Sequence, residues 1–187
     1  MLIAPALITV DEFREMKDPP NAWLELRNGV AVPVGYPKMK HYLLRRRISE
    51  LLDAAHGKLG LSGAPMPFRP KPEYELRVAD VCWLSPARAK QALVDDDVFG
   101  SPEFVVEVLY PSKTHEEACE KRDLCFASGC DEFWIIDGDL SFIEVAFATG
   151  TFSVRTNDEL VEIGGALHET GSILDTHTLL GGPRKTS

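Results

Sequence analysis

The chain has 187 residues, 44% apolar and 26% charged, with a formal net charge of −9. Such a chain is long enough for one domain with a sizeable core, and its composition is that of an ordinary globular protein. No apolar run is long enough to span a bilayer, and the acidic balance argues mildly against nucleic acid as a partner, since phosphate needs a positive counterpart.

The opening "MLIAPALITV" is apolar but lacks a basic flank and a longer apolar stretch, so no signal peptide is expected. Thr9-Val10-Asp11-Glu12 has capping-box spacing and predicts a short helix to about Met16, stopped by "DPPN". "WLELRNGVAVPV" (23–34) reads as two strands around Asn28-Gly29, a strong hairpin signal. His41 to His56 is predicted helical, with Leu44, Ile48, Leu51, Leu52 and Ala55 in one buried stripe and Gly57 and Gly60 ending it. The proline-rich "GAPMPFRPKPEYEL" predicts extended chain with one edge strand. "VADVCWL" (78–84) reads as a strand, "SPARAKQAL" (85–93) as a short helix capped by Ser85-Pro86, and "EFVVEVL" (103–109) as a strand. Thr114-His115-Glu116-Glu117 is a second capping box, opening a helix to about Ser128 that Gly129 closes. "EFWIID" (132–137) is a strand. "SFIEVAFA", "GTFSVRT" and "LVEIGG" read as a β-meander with turns at Gly138 and Gly150. The expectation is one α/β (α+β) domain over residues 1–180 around a mixed sheet, with a disordered tail at 181–187.

Cys82, Cys119, Cys125 and Cys130 form no CxxC pair and no cysteine–histidine group with zinc spacing, so reduced thiols in a cytoplasm are expected. Charge is uneven. "KMKHYLLRRR" (38–47) and "FRPKP" (68–72) are basic, whereas "VDDD" (94–97) is acidic, so a local basic surface can coexist with an acidic whole. Arg45, Arg46 and Arg47 read equally well as a solvated helix face.

Two strands carry a lone carboxylate among apolar residues. Asp80 shares its face with Val78 and Cys82, and Glu107 shares its face with Val105 and Leu109. An unpaired buried carboxylate is costly. Two of them on consecutive strands suggest a shared partner, most economically a divalent cation. On the helix from 115, Glu116, Glu120 and Asp123 share a polar face, whereas Lys121 falls in the apolar arc between Leu124 and Cys125, and Arg122 falls there too. Lys121 either snorkels to water or aims its amine at the site of Asp80 and Glu107.

Asp80 followed by Glu107-Val108-Leu109 resembles the PD-(D/E)XK nuclease superfamily, with Leu109 standing where the usual lysine belongs. A closer resemblance is to the Uma-type restriction endonuclease family, formerly a domain of unknown function. It rests on "ELRNG" (25–29), His41, "AD" (79–80), "EVLYPS" (107–112), "EKRDLC" (120–125) and "FWIID" (133–137), from about Trp23 to Val154. Ala79, Tyr110 and Cys125 or Phe126 depart from the family pattern without removing a presumed ligand.

The resemblance implies a restriction-endonuclease-like core and metal-assisted phosphodiester hydrolysis. Asp80 and Glu107, with the Val108 carbonyl, would hold Mg²⁺ or Mn²⁺, and Lys121 would meet the attacking water or the developing charge. Glu25 reads as a third ligand or water-positioning group, or equally as an exposed acid beside a turn. His41 reads as a core histidine or as support behind the ligands. Lys38, Lys40 and Arg69 are candidates for the nucleic-acid backbone. Two ligands of one ion should lie within about 5 Å of each other, with Lys121 facing the same space. The expected partner is nucleic acid, DNA first, with no membrane. A homodimer is a reasonable expectation because double-strand cutting needs two sites. The competing readings are a nuclease-fold binding module that does not cut, and hydrolysis of another phosphate ester.

Overall fold

A computed structural model of the chain describes residues 7–56, 60–110, 113–137, 142–156, 160–162 and 173–175. The predicted turn at Gly138, the helix-ending Gly57 and the tail at 181–187 lie outside them. Helix α1 (Val10–Arg14) opens with the expected reciprocal box, Thr9 N–H donating to the Glu12 carboxylate at 2.8 Å and Glu12 N–H to the Thr9 hydroxyl at 3.3 Å. Asn28 and Gly29 both take positive φ, 47° and 74°, as a two-residue turn joining right-twisted strands requires. They fold β1 (Ala22–Arg27) back on β2 (Val30–Gly35) in antiparallel register. Helix α2 (Met39–His56) starts two residues before the periodicity predicts.

A strand not expected from the sequence, β3 (Leu61–Gly63), forms one edge of the main sheet, and the proline-rich stretch yields the single strand expected of it, β4 (Met66–Phe68), paired on one side only. The predicted strand 78–84 is two strands. β5 (Arg77–Ala79) pairs with β4, and β6 (Val81–Leu84) pairs with β3. The break falls at Asp80, whose backbone N–H points at the Glu107 carboxylate, 3.4 Å away, instead of a strand partner. Helix α3 (Pro86–Asp95), capped by Ser85, leads to β7 (Phe104–Val108), which lies antiparallel to β6.

Helix α4 (His115–Phe126) then crosses over to β8 (Glu132–Asp137), which is parallel to β7, because parallel neighbours need such a connection. β9 (Phe142–Phe147) and β10 (Phe152–Thr156) continue antiparallel, completing a six-stranded mixed sheet in the order β10-β9-β8-β7-β6-β3. The last predicted strand does not extend the meander. β11 (Leu160–Glu162) pairs with β12 (Ile173–Asp175) in a ladder of its own.

Side chains alternate across the sheet and build a core on each face. On one, Ile48 and Leu52 of α2 pack against Val81, Trp83, Val106, Trp134 and Ile136. On the other, Ala118 and Cys125 of α4 pack against Cys82, Val105, Phe133 and Ile135. Val10 and Phe13 of α1 seal the hairpin by packing on Leu26. The four cysteines are free thiols. Among the described residues no helix is long and apolar enough to cross a membrane.

Candidate active site

Glu107 is fully buried one residue from the end of β7, and Asp80 is buried at the β5–β6 break beside it. Asp80 Oδ2 accepts the Val108 N–H at 2.9 Å, which locks the acid to β7. The chain then turns after β7, with Lys113 N–H donating to the Tyr110 carbonyl at 2.8 Å. That turn brings Lys113 Nζ back onto both acids, 3.4 Å from Asp80 Oδ2 and in direct contact with Glu107 Oε2. Two hard oxygen donors from different strands thus share one cation. This donor set is of the kind that suits Mg²⁺ or Mn²⁺.

Lys121 comes from the other direction. Its position on α4 points it inward, and it is buried, with Nζ 2.9 Å from Glu107 Oε1, 3.2 Å from Glu25 Oε1 and 2.5 Å from the Val78 carbonyl. The inward amine therefore prevails over snorkelling, because oxygen acceptors replace its water. Glu25 is buried and no exposed acid beside a turn: β1 docks along β5, so its Oε1 accepts the Val78 N–H at 3.0 Å and its Oε2 meets Arg27 at 3.0 Å and Arg77 at 3.6 Å. Arg77, also fully buried, extends the network to Glu75 at 2.8 Å and Glu120 at 2.9 Å.

α2 closes the other side. His41, Arg45, Ile48 and Leu52 recur at one helical face and all are buried. Arg45 NH1 lies 3.3 Å from Asp80 Oδ1, so Arg45 is no part of a solvated face, unlike the exposed Arg46. His41 Nε2 lies 3.0 Å from the Val108 carbonyl and 3.4 Å from Asp80 Oδ2. Both neighbours accept, so Nε2 carries the proton and His41 braces the acid. It does more than fill a core. The Val108 carbonyl is engaged by this bond. Tyr110 stacks edge-on against His41, ring centroids 5.0 Å apart. Beside these groups opens a cleft of about 170 Å³, lined by Glu25, Arg77, Tyr110, Lys113 and Lys121.

Charge follows geometry. Burial alone would raise the Asp80 carboxyl, but Lys113, His41 and Lys121 pull it well below the usual range. Burial is likewise outweighed at Glu25, where Lys121, Arg77 and Arg27 hold the carboxyl at about 2. Burial pushes Lys113 down against the pull of Asp80 and with the repulsion of Lys121. Burial and the charges of Asp80 and Glu25 push Tyr110 up to about 12, so it is a hydroxyl and not a base.

The structure thus brings together Asp80, Glu107, Lys121, Glu25 and His41, and adds Lys113, Arg45 and Arg77, which the sequence reading did not place there. Lys38 and Lys40 are exposed at the start of α2, next to His41. Arg69 is not free to meet a phosphate: its guanidinium binds Asp97 at 3.0 Å, contacts the Pro72 carbonyl and sits 4.8 Å above the Phe99 ring.

Residues 10–163 match the family model described as "Uma2: Putative restriction endonuclease". Among solved structures, the chain is similar to "a putative nuclease belonging to DUF820 from Anabaena variabilis ATCC 29413". The two share 17% identity and a TM-score of 0.79, over 92% of this chain and 97% of that one, a likeness of fold. No curated protein matches the chain.

Proposed function

The chain belongs to the Uma2 family of restriction-endonuclease-like proteins, and from that premise we propose that it is a metal-dependent nuclease hydrolysing phosphodiester bonds in DNA. The observation that carries this reading is the convergence of Asp80 and Glu107 on a single cation position, with the Lys121 amine 2.9 Å from one of the acids.

Asp80 and Glu107 would hold Mg²⁺ or Mn²⁺, helped by the Val108 carbonyl, which also meets His41 Nε2. When bound, such an ion lowers the pKa of a water and offsets charge on the phosphate and leaving oxygen. The protein's own part is positioning. The Val108 N–H, Arg45 and His41 fix Asp80. Glu25 and the Val78 carbonyl fix Lys121, so its ammonium faces the developing negative charge without reorganising. Glu25 is spoken for by three cations and serves as an anchor for Lys121 better than as a third ligand. For these acids to hold an ion, Lys113 would have to give up its contacts with them. Lys38 and Lys40, one turn or less from His41, supply charge for the phosphate backbone beside the cleft.

A second reading, a nuclease-fold module that binds but does not cut, is favoured by Lys113, which already gives both acids a cationic partner. The experiment uses purified protein with plasmid DNA, single-stranded DNA and RNA, in Mn²⁺, Mg²⁺ or EDTA, beside Asp80→Ala and Lys121→Ala. The expected result is ion-dependent cutting of DNA, lost in both variants. Cutting that survives in Asp80→Ala overturns the site. Absence of cutting and of ion binding favours the module.

A further inference from the structure

On the far side of α4 from Lys121, three side chains of different ligand chemistry meet. His115 and Cys119 lie one helical turn apart, and Glu144 reaches them from β9. His115 Nε2 is 2.8 Å from Glu144 Oε2, and Cys119 Sγ is 3.6 Å from His115 Nδ1. One ligand atom from each falls within 4.8 Å of the other two. From these residues we propose a second metal site, His115–Cys119–Glu144, that takes a transition ion of the Zn²⁺ class and stands apart from the Asp80–Glu107 centre.

The chemistry is specific. A thiolate, an imidazole and one carboxylate suit Zn²⁺ and are poor ligands for Mg²⁺. Zinc bonds of about 2.0–2.3 Å put tetrahedral ligands roughly 3.3–3.8 Å apart, so small side-chain adjustments admit an ion. Glu144 is buried in a β-strand, where a lone acid is costly. Arg122 offsets part of that cost, holding Glu144 Oε1 at 3.1 Å and lying 3.7 Å from Cys119 Sγ. It leaves Oε2 to His115, whose 2.8 Å bond an ion between the two would replace, and it supports a thiolate, as residues behind a metal's ligands commonly do. Thiolate, carboxylate and guanidinium sum to minus one, which a divalent cation overcomes. His115 is half exposed, giving an entry path and an open fourth position for water. The ligand is the thiolate, so the Cys119 proton would pass to solvent as an ion binds. Such an ion would tie α4, the helix that carries Lys121, to the sheet.

The test is a Co²⁺ titration of the full chain, followed by displacement with Zn²⁺. A thiolate-to-cobalt charge-transfer band should saturate at one ion per chain and vanish on adding Zn²⁺. Cys119→Ser should abolish the band, and Glu144→Gln should weaken Zn²⁺ binding tenfold or more. The Asp80→Asn/Glu107→Gln variant should keep the band, separating this site from the nuclease centre. Absence of the band, or its persistence in Cys119→Ser, overturns the proposal. A measurement without variants is alkylation: Cys82, Cys125 and Cys130 are buried, so Zn²⁺ should slow modification of Cys119. An unchanged rate overturns the proposal as well.

Discussion

An ammonium held between two buried carboxylates gives them one positive charge where a divalent ion would give two. Lys113 and such an ion therefore compete for the same oxygens. Lys113→Met should tighten Mn²⁺ binding about tenfold, or about 1.4 kcal/mol, as read by calorimetry; equal or weaker binding would mean that the amine does not occupy the ion's place. Glu25 makes a prediction of another kind. Its carboxyl sits at about 2 in the folded chain against an ordinary 4.5. A carboxyl so depressed stabilises the fold above its ordinary value and loses that contribution as pH falls through the window between the two. The difference is on the order of 3 kcal/mol. Glu25→Gln should therefore flatten the fall of the urea midpoint between about pH 5 and pH 2.5. A slope equal to that of the parent chain would show that the carboxyl is not held there.

α4 buries a lysine where an ordinary amphipathic helix would bury a leucine, so its ends must contribute more to its stability. Thr114 caps it, accepting the Glu117 N–H at 3.1 Å while Glu117 accepts the Thr114 N–H at 2.9 Å. Thr114→Ala should cost about 1 kcal/mol, seen as a lower urea midpoint at unchanged slope. Such local signals were legible in the sequence: both capping boxes, the Asn28-Gly29 turn and the Ser85 cap each depend on residues at most three apart. What depended on distant residues was not. The strand from Val78 to Leu84 alternates without interruption, and its break at Asp80 is explained only by Glu107, 27 residues away. Among Arg45, Arg46 and Arg47 the sequence does not say which faces inward, although Arg45 lies on the stripe of His41, Ile48 and Leu52. Lys113 lies past the end of the strand pattern, and nothing local shows a chain turning back there. Glu144 is a lone acid in "SFIEVAFA", the same pattern that singled out Glu107, and its partners on α4 explain it.

β6, β7 and β8 form one wall with an apolar core on each side, so neither core survives without the other. Thermal or urea unfolding is accordingly expected as one transition, with tryptophan fluorescence from Trp83 and Trp134 coinciding with far-ultraviolet dichroism. Separated midpoints would show that the two faces melt independently. Lys121 meets Glu25 across 96 residues of chain. At a synthesis rate of about 5–20 residues per second, roughly 5–20 s separate the birth of the acid from that of its amine. During that interval the nascent chain carries Glu25, joined by Arg77 only in its second half, with no Lys121 to complete them. Closing so long a loop is slow, so the centre is assembled last. A cell making this protein meets no finished Asp80–Glu107–Lys121 cluster until the crossover helix has left the ribosome and docked.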